Sequence, residues 1–200
     1  MLVTKVLSTM SKTIKREDIL SKFPESCNLT LDVGSGSGGR GFGFACLGDV
    51  NIDIGRPPSK PNKPFIRSDA NALPFRDNLF TRVTMFDVIE HVDAPSIVLR
   101  EIKRVMTKNG VLILGTPNAM RVVNFLHIAI HGFYVPHEDH VTVWGRMELA
   151  NLFRRVGFTR FIVTACTYSD TKHGFLSTLA LKLSFRQDLT GRQLLVIAKK

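Results

Sequence analysis

Disulfide chemistry has little to work with in this chain of 200 residues. Cys27, Cys46 and Cys166 are odd in number, far apart and without CxxC spacing, which argues against a disulfide framework or a zinc finger. A reducing cytoplasm is the expected compartment. No apolar run reaches the roughly 18 residues that a membrane-spanning helix needs. The longest stretch, Val122 to Val135, is broken by Asn124, His127, His131 and Gly132, so stable membrane insertion is not expected. The opening MLVTKVLSTMSK lacks an apolar core followed by a small-residue cleavage site, so no secretory leader is expected. Acids are scarce: 17 Asp and Glu stand against 27 Lys and Arg, a net charge of +10. Residues 151–200 hold nine of the basic residues and only Asp170 and Asp188 as acids. Scattered charges with no accompanying aromatic-basic motif read as a soluble basic protein, with RNA, an acidic partner or a membrane surface as other readings.

What is present is globular: 44% hydrophobic, 22% charged, with 15 Gly and 9 Pro, the size of one domain. Residues 1–28 read as a polar helical extension, with a helix over Thr13–Phe23 that Pro24 closes. From residue 29 the pattern alternates. Strands are expected at 29–33, 51–54, 64–67, 82–86 and 111–114. A helix carries Ile97, Val98, Glu101, Ile102 and Val105 at helical spacing, with Gly110 suited to a left-handed cap. A second helix near Arg146–Val156 precedes strands at 161–163 and 192–197. Strands separated by helices of this length imply βαβ units and a doubly wound α/β sheet. An insertion at 119–143 interrupts the rhythm, and the domain runs over 29–200.

The segment Leu31-Asp32-Val33-Gly34-Ser35-Gly36-Ser37-Gly38-Gly39 ends the first strand of that pattern. Glycines at such a turn permit positive φ and close approach to a ligand, and the following helix offers free N–H groups. Asp53 ends the next strand, where an acid can accept from both hydroxyls of a ribose. The glycines fit both G-x-G-x-x-G and G-x-G-x-G, which leaves a nicotinamide-dependent oxidoreductase open. Asp32 discriminates: a carboxylate two residues before the first glycine suits an ammonium group better than a pyrophosphate. S-adenosylmethionine carries an ammonium and no phosphate.

With Asp69-Ala70, Leu73-Pro74-Phe75, Glu90-His91-Val92, Asn109-Gly110 and Thr116-Pro117-Asn118, these motifs resemble the class I S-adenosylmethionine-dependent methyltransferases. The likeness is strongest to the group that includes the ubiquinone and menaquinone biosynthesis enzymes, and it covers about Leu29 to Phe158. It implies a Rossmann-like three-layer αβα sandwich whose seven-stranded sheet has six parallel strands and the last reversed. It also implies S-adenosyl-L-methionine as cofactor. Asp32 would face the methionyl ammonium, and Gly34, Ser35, Gly36 and Gly38 would line the methionyl end. Asp53 would hold the ribose, with Ile54 packed on the adenine. Asp69 and Ala70 would meet the adenine edge, and Phe86 and Asp87 the sulfonium end.

The acceptor is read as a small molecule. His91 is the candidate general base, or else a histidine that pins the helix start. The insertion's Phe125, Leu126, Ile128, Ile130, Phe133, Tyr134 and Val135 suggest a hydrophobic lid, a packed helix or a membrane-surface helix. Asp87-x-x-Glu90-His91, with His137-Glu138-Asp139-His140, could place carboxylates and imidazoles together if 87–91 formed a helical turn. A similar pattern occurs in metal-dependent small-RNA 2′-O-methyltransferases. The expectation adopted is nevertheless a metal-independent enzyme. A non-catalytic S-adenosylmethionine-binding protein is the remaining alternative.

Overall fold

A computed structural model describes residues 13–14, 29–36, 47–56, 63–132, 139–168, 189 and 191–200. These residues include eight strands: β1 (Thr13–Ile14), β2 (Thr30–Val33), β3 (Val50–Asp53), β4 (Phe65–Arg67), β5 (Phe80–Phe86), β6 (Met106–Pro117), β7 (Arg160–Tyr168) and β8 (Gln193–Lys199). Among the described residues three helices accompany them: α1 (Pro95–Val105), α2 (Val122–His131) and α3 (Arg146–Val156). All strands lie in one sheet of order β1-β7-β8-β6-β5-β2-β3-β4. Neighbours pair in parallel except β8, which runs antiparallel to both β6 and β7. The expected core of six parallel strands with the last reversed is therefore present. The two-residue β1 adds an eighth strand at the β7 edge.

Thr13 and Ile14 pair with Thr167 and Tyr168 as that strand, where the sequence suggested the start of a helix. The rest of the expected helix lies outside the described residues. A second correction concerns Gly110. It takes no left-handed conformation, because α1 ends at Val105 and β6 begins at once. Between the pairs Phe80↔Met106 and Arg82↔Val111 the register shifts, so Lys108-Asn109-Gly110 forms an irregular excursion in the strand. A Cβ on Gly110 would meet the Thr107 carbonyl oxygen at 3.0 Å, so closeness of backbone accounts for this glycine.

Burial follows the patterns read in the sequence. On α1 the buried residues are Val98, Leu99, Ile102 and Val105, and on α3 Leu149, Ala150, Phe153 and Val156. These stripes recur three or four residues apart, as one buried helix face requires. Phe153 packs on Phe158 and Phe161, with ring centroids 5.2 and 5.5 Å apart. In β8 the five residues Leu194 to Ala198 are all buried, as expected for a strand covered on both faces. Gly157 closes α3 at φ +89°, a left-handed cap. No helix among the described residues is long and apolar enough to cross a membrane.

Because β2 pairs β3 on one side and β5 on the other, the chain reverses its winding direction between β2 and β5. In open α/β sheets, ligands bind outside the carboxyl ends of the strands at that switch point.

Candidate functional site

A cleft of about 440 Å³ opens at the switch point. The turn after β2 contributes Gly34 and Gly36, β3 ends in Asp53 and Ile54, the loop after β4 supplies Asp69 and Ala70, and the segment after β5 adds Asp87 and His91. Eight of the residues singled out in the sequence thus line one cavity. Gly38 lies outside the described residues. Asp32, Ser35 and Phe86 are buried at the same strand ends and do not line the cleft.

Gly34 and Gly36 both take φ +72°, a conformation that disfavours side chains. A Cβ on Gly34 would also fall 2.1 Å from Val88 Cγ2, so this glycine lets β2 close onto the segment after β5. The Gly34 and Ser35 amides donate to the Ile52 carbonyl at 2.8 and 3.0 Å. The Gly36 amide donates to Asp53 Oδ2 at 2.8 Å, and the Gly55 amide to Oδ1 at 2.7 Å. These N–H groups of the turn are therefore spent on β3, two on the Ile52 carbonyl and one on Asp53. Each Asp53 oxygen keeps a further lone pair for a hydroxyl donor.

Asp69 is arranged similarly. Its Oδ1 accepts from the Asn71 amide at 2.8 Å and from Asn71 Nδ2 at 3.0 Å. The loop that follows is tied to α1. Arg104 bonds the carbonyls of Phe75 and Leu73, Asp77 Oδ1 and both oxygens of Glu101, while Glu101 Oε2 accepts from the Leu73 amide.

Asp32 sits beneath the glycine turn. Thr84 Oγ1 donates to its Oδ1 at 2.5 Å and the Leu47 amide to its Oδ2 at 3.2 Å. Burial outweighs these bonds and pushes its pKa up to about 7.

Residues 87–93 form turns, so the helical turn considered for Asp87, Glu90 and His91 is absent and α1 begins only at Pro95. The Asp87 amide donates to the Gly115 carbonyl, and Asp87 adopts φ +52°, a costly value for a residue other than glycine. Glu90 is buried, with Thr116 Oγ1 donating to its Oε2 at 2.8 Å. Burial first, and the Asp87 charge second, push its pKa up to about 8. His91 Nδ1 lies 2.9 Å from the Asp139 carbonyl, so it bonds the end of the insertion and not the start of α1. His140 meets His91 edge-on, with ring centroids 4.8 Å apart. His137 and Glu138 lie outside the described residues. No sequence periodicity marked Thr84, Thr116, Asn71 or the Asp139 carbonyl as supports, because each partnership is set by the fold.

The insertion forms α2, and none of its residues is buried. Asn124 Nδ2 ties it to the Ala119 carbonyl at 2.9 Å. A separate cavity of about 660 Å³, lined by Asn118, Met120, Arg146, Glu148, Arg154 and Phe161 among others, lies on this side. It is larger but lacks the glycine turn and the paired acids at strand ends.

Residues 31–114 match the family model described as a methyltransferase domain. A demethylmenaquinone methyltransferase of Renibacterium salmoninarum is 31% identical over 103 residues, 48% of this chain and 44% of that protein. An uncharacterized protein of Methanocaldococcus jannaschii is 27% identical over 109 residues, 52% of this chain and 43% of that protein. The chain thus spans less than half the length of these curated relatives. Among solved structures, a methyltransferase dependent on S-adenosylmethionine from Thermotoga maritima superposes with TM-score 0.62 at 19% identity, covering 91% of this chain and 86% of that one. One from Archaeoglobus fulgidus gives 0.61 at 16% identity, covering 92% and 91%.

Proposed function

We propose that this chain is a class I S-adenosylmethionine-dependent methyltransferase, that the 440 Å³ cleft holds the cofactor and that a small-molecule acceptor is methylated beside His91. The observation that carries this reading is the convergence of Asp53 and Asp69 on one cleft next to the glycine turn. A cavity of this volume is in the usual range for a small-molecule cofactor. Its polar ends match the cofactor's polar groups. Asp53, already fixed by two backbone amides, would accept from the ribose hydroxyls. Ile54, 68% exposed, gives an apolar surface for the adenine, with Asp69 and Ala70 at its edge.

Asp32 would stabilise the methionyl ammonium from beneath the turn, directly or through water, with Gly34, Ser35, Gly36 and Gly38 around it. Phe86 and Asp87 would flank the sulfonium end. When bound, S-adenosylmethionine supplies an activated methyl group, and the protein's task is to place the acceptor and exclude water. With Nδ1–H held by the Asp139 carbonyl, His91 has Nε2 left to face the acceptor, where it would serve as base for a hydroxyl or an acidic carbon as long as no ion occupies that nitrogen.

Support for a small-molecule acceptor comes from the demethylmenaquinone methyltransferase among the relatives. Calorimetry of the full chain with S-adenosylhomocysteine and with NAD tests the cofactor assignment. Saturable heat with the former and none with the latter is expected, and the opposite pattern would return the glycine turn to a dinucleotide.

A further inference from the structure

Behind His91, the structure gathers three side chains from two distant stretches of sequence. A carboxylate oxygen of Glu90 and ring nitrogens of His91 and His140 all lie within 4.8 Å of one another. We propose that Glu90, His91 and His140 bind one divalent first-row transition-metal ion at the rim of the cleft, contrary to the metal-independent reading of the sequence.

The supporting contacts leave a lone pair on two of these ligands. Thr116 Oγ1 donates to Glu90 Oε2, whereas the buried Oε1 has no hydrogen-bond partner among the described residues. A buried carboxylate oxygen without a donor is costly. His91 Nδ1 faces a carbonyl, which can only accept, so Nδ1 carries a hydrogen and Nε2 is the ring atom left for a ligand. An N–H to carbonyl bond of this kind is the outer support that metal-bound histidines normally have.

The backbone holds the third ligand in place. The Val141 and Thr142 amides both donate to the Glu90 carbonyl, at 2.9 and 3.1 Å, which clamps the segment carrying His140 against Glu90. Glu90 and His140 also border a void of about 10 Å³ shared with Trp144, room for a single ion or water. The buried Trp144 Nε1 likewise lacks a partner among the described residues and could donate to a ligand oxygen on the ion.

Three ligands about 2.0–2.2 Å from one ion would stand roughly 3–4 Å apart, so small side-chain rotations close the site. Two imidazoles and one carboxylate suit Mn²⁺, Fe²⁺, Co²⁺ or Zn²⁺ better than Mg²⁺, and three protein ligands leave coordination positions open. The site itself does not depend on the methyltransferase reading. Its place beside the acceptor does, because His91 belongs both to this cluster and to the cleft lining.

The test uses the full chain, freed of metal with a chelator and titrated with Co²⁺ while the visible absorption is followed. A band that saturates at one equivalent and is displaced by Zn²⁺ is expected. His140→Ala and Glu90→Gln should each weaken Co²⁺ binding at least tenfold. His127→Ala, on the unburied helix α2 and outside the cluster, should leave it unchanged. Saturating Zn²⁺ should also raise the unfolding temperature of the unaltered protein, a readout that needs no variant to fold. Absence of a saturable band, or a band that survives His140→Ala, would overturn the site, as would one lost with His127→Ala. S-adenosylhomocysteine binding measured in EDTA separates the two readings. Cofactor heat without a cobalt band removes the metal site alone, and a cobalt band without cofactor heat removes the methyltransferase reading alone.

Discussion

One wall of the cleft, built from β2, β3 and the loop after β4, closes its acids into hydrogen bonds: Asp53 holds two backbone amides and Asp69 holds Asn71. The facing wall, residues 87–93 with the segment 139–144 packed behind it, leaves Glu90 Oε1 and Trp144 Nε1 buried without partners among the described residues, and none of α2 is buried. The first wall is preorganised for one kind of ligand. The second holds polar groups open to an acceptor, an ion or water.

The largest expected effect comes from the core that carries the sheet. Phe153→Ala removes a fully buried ring packed on Phe158 and Phe161, and should cost about 3–5 kcal/mol in denaturant unfolding. A loss under about 1 kcal/mol would mean that α3 is not seated as described.

Asp53→Ala should weaken S-adenosylhomocysteine at least about tenfold, through lost bonds of roughly 1–3 kcal/mol each to a charged acceptor. Calorimetry checks it, and unchanged affinity would remove Asp53 from the site.

A gentler probe is pH, acting on Asp32. Its folded pKa of about 7 lies above the ordinary value of 3.8, so between these values the folded chain binds more protons than the unfolded one. Stability from this group is therefore greatest below pH 3.8 and declines as pH rises towards 7. Asp32→Asn should flatten that decline in urea titrations. An ammonium ligand favours the ionised carboxylate, so S-adenosylhomocysteine affinity should rise by about tenfold from pH 5.5 to 8, and the rise should vanish in Asp32→Asn.

The smallest effect belongs to α2. Ile130, 75% exposed, should tolerate Ser within about 0.5 kcal/mol of unfolding free energy. A larger loss would show that this helix is packed in solution.

The two walls also differed in how far they could be read from residues alone. Glycines, Asp53 and Asp69-Ala70 are local signals at strand ends, so a strand-and-helix reading suffices to bring them together at the switch point. The helix Arg146–Val156 and the buried run of β8 were legible for the same reason, a period of burial within one element. Lys108-Asn109-Gly110 misled because a glycine after a helix resembles a cap, whereas here it eases a register shift in β6. On the second wall the partners are distant in sequence: Thr84 with Asp32, Thr116 with Glu90, Asp139 with His91. Such pairs leave no periodicity. The Asp87, Glu90 and His91 spacing suggested a helical face, but turns place only Glu90 and His91 with His140.

Backbone amide NMR of the full chain, with S-adenosylhomocysteine added, tests the central claim most directly. The cleft at the switch point should respond, with the largest shifts at Gly34, Gly36, Asp53 and Ala70 and little change along α2. Shifts confined to Asn118, Met120, Arg146 and Glu148, around the larger cavity, would contradict the assignment of the cofactor to this cleft.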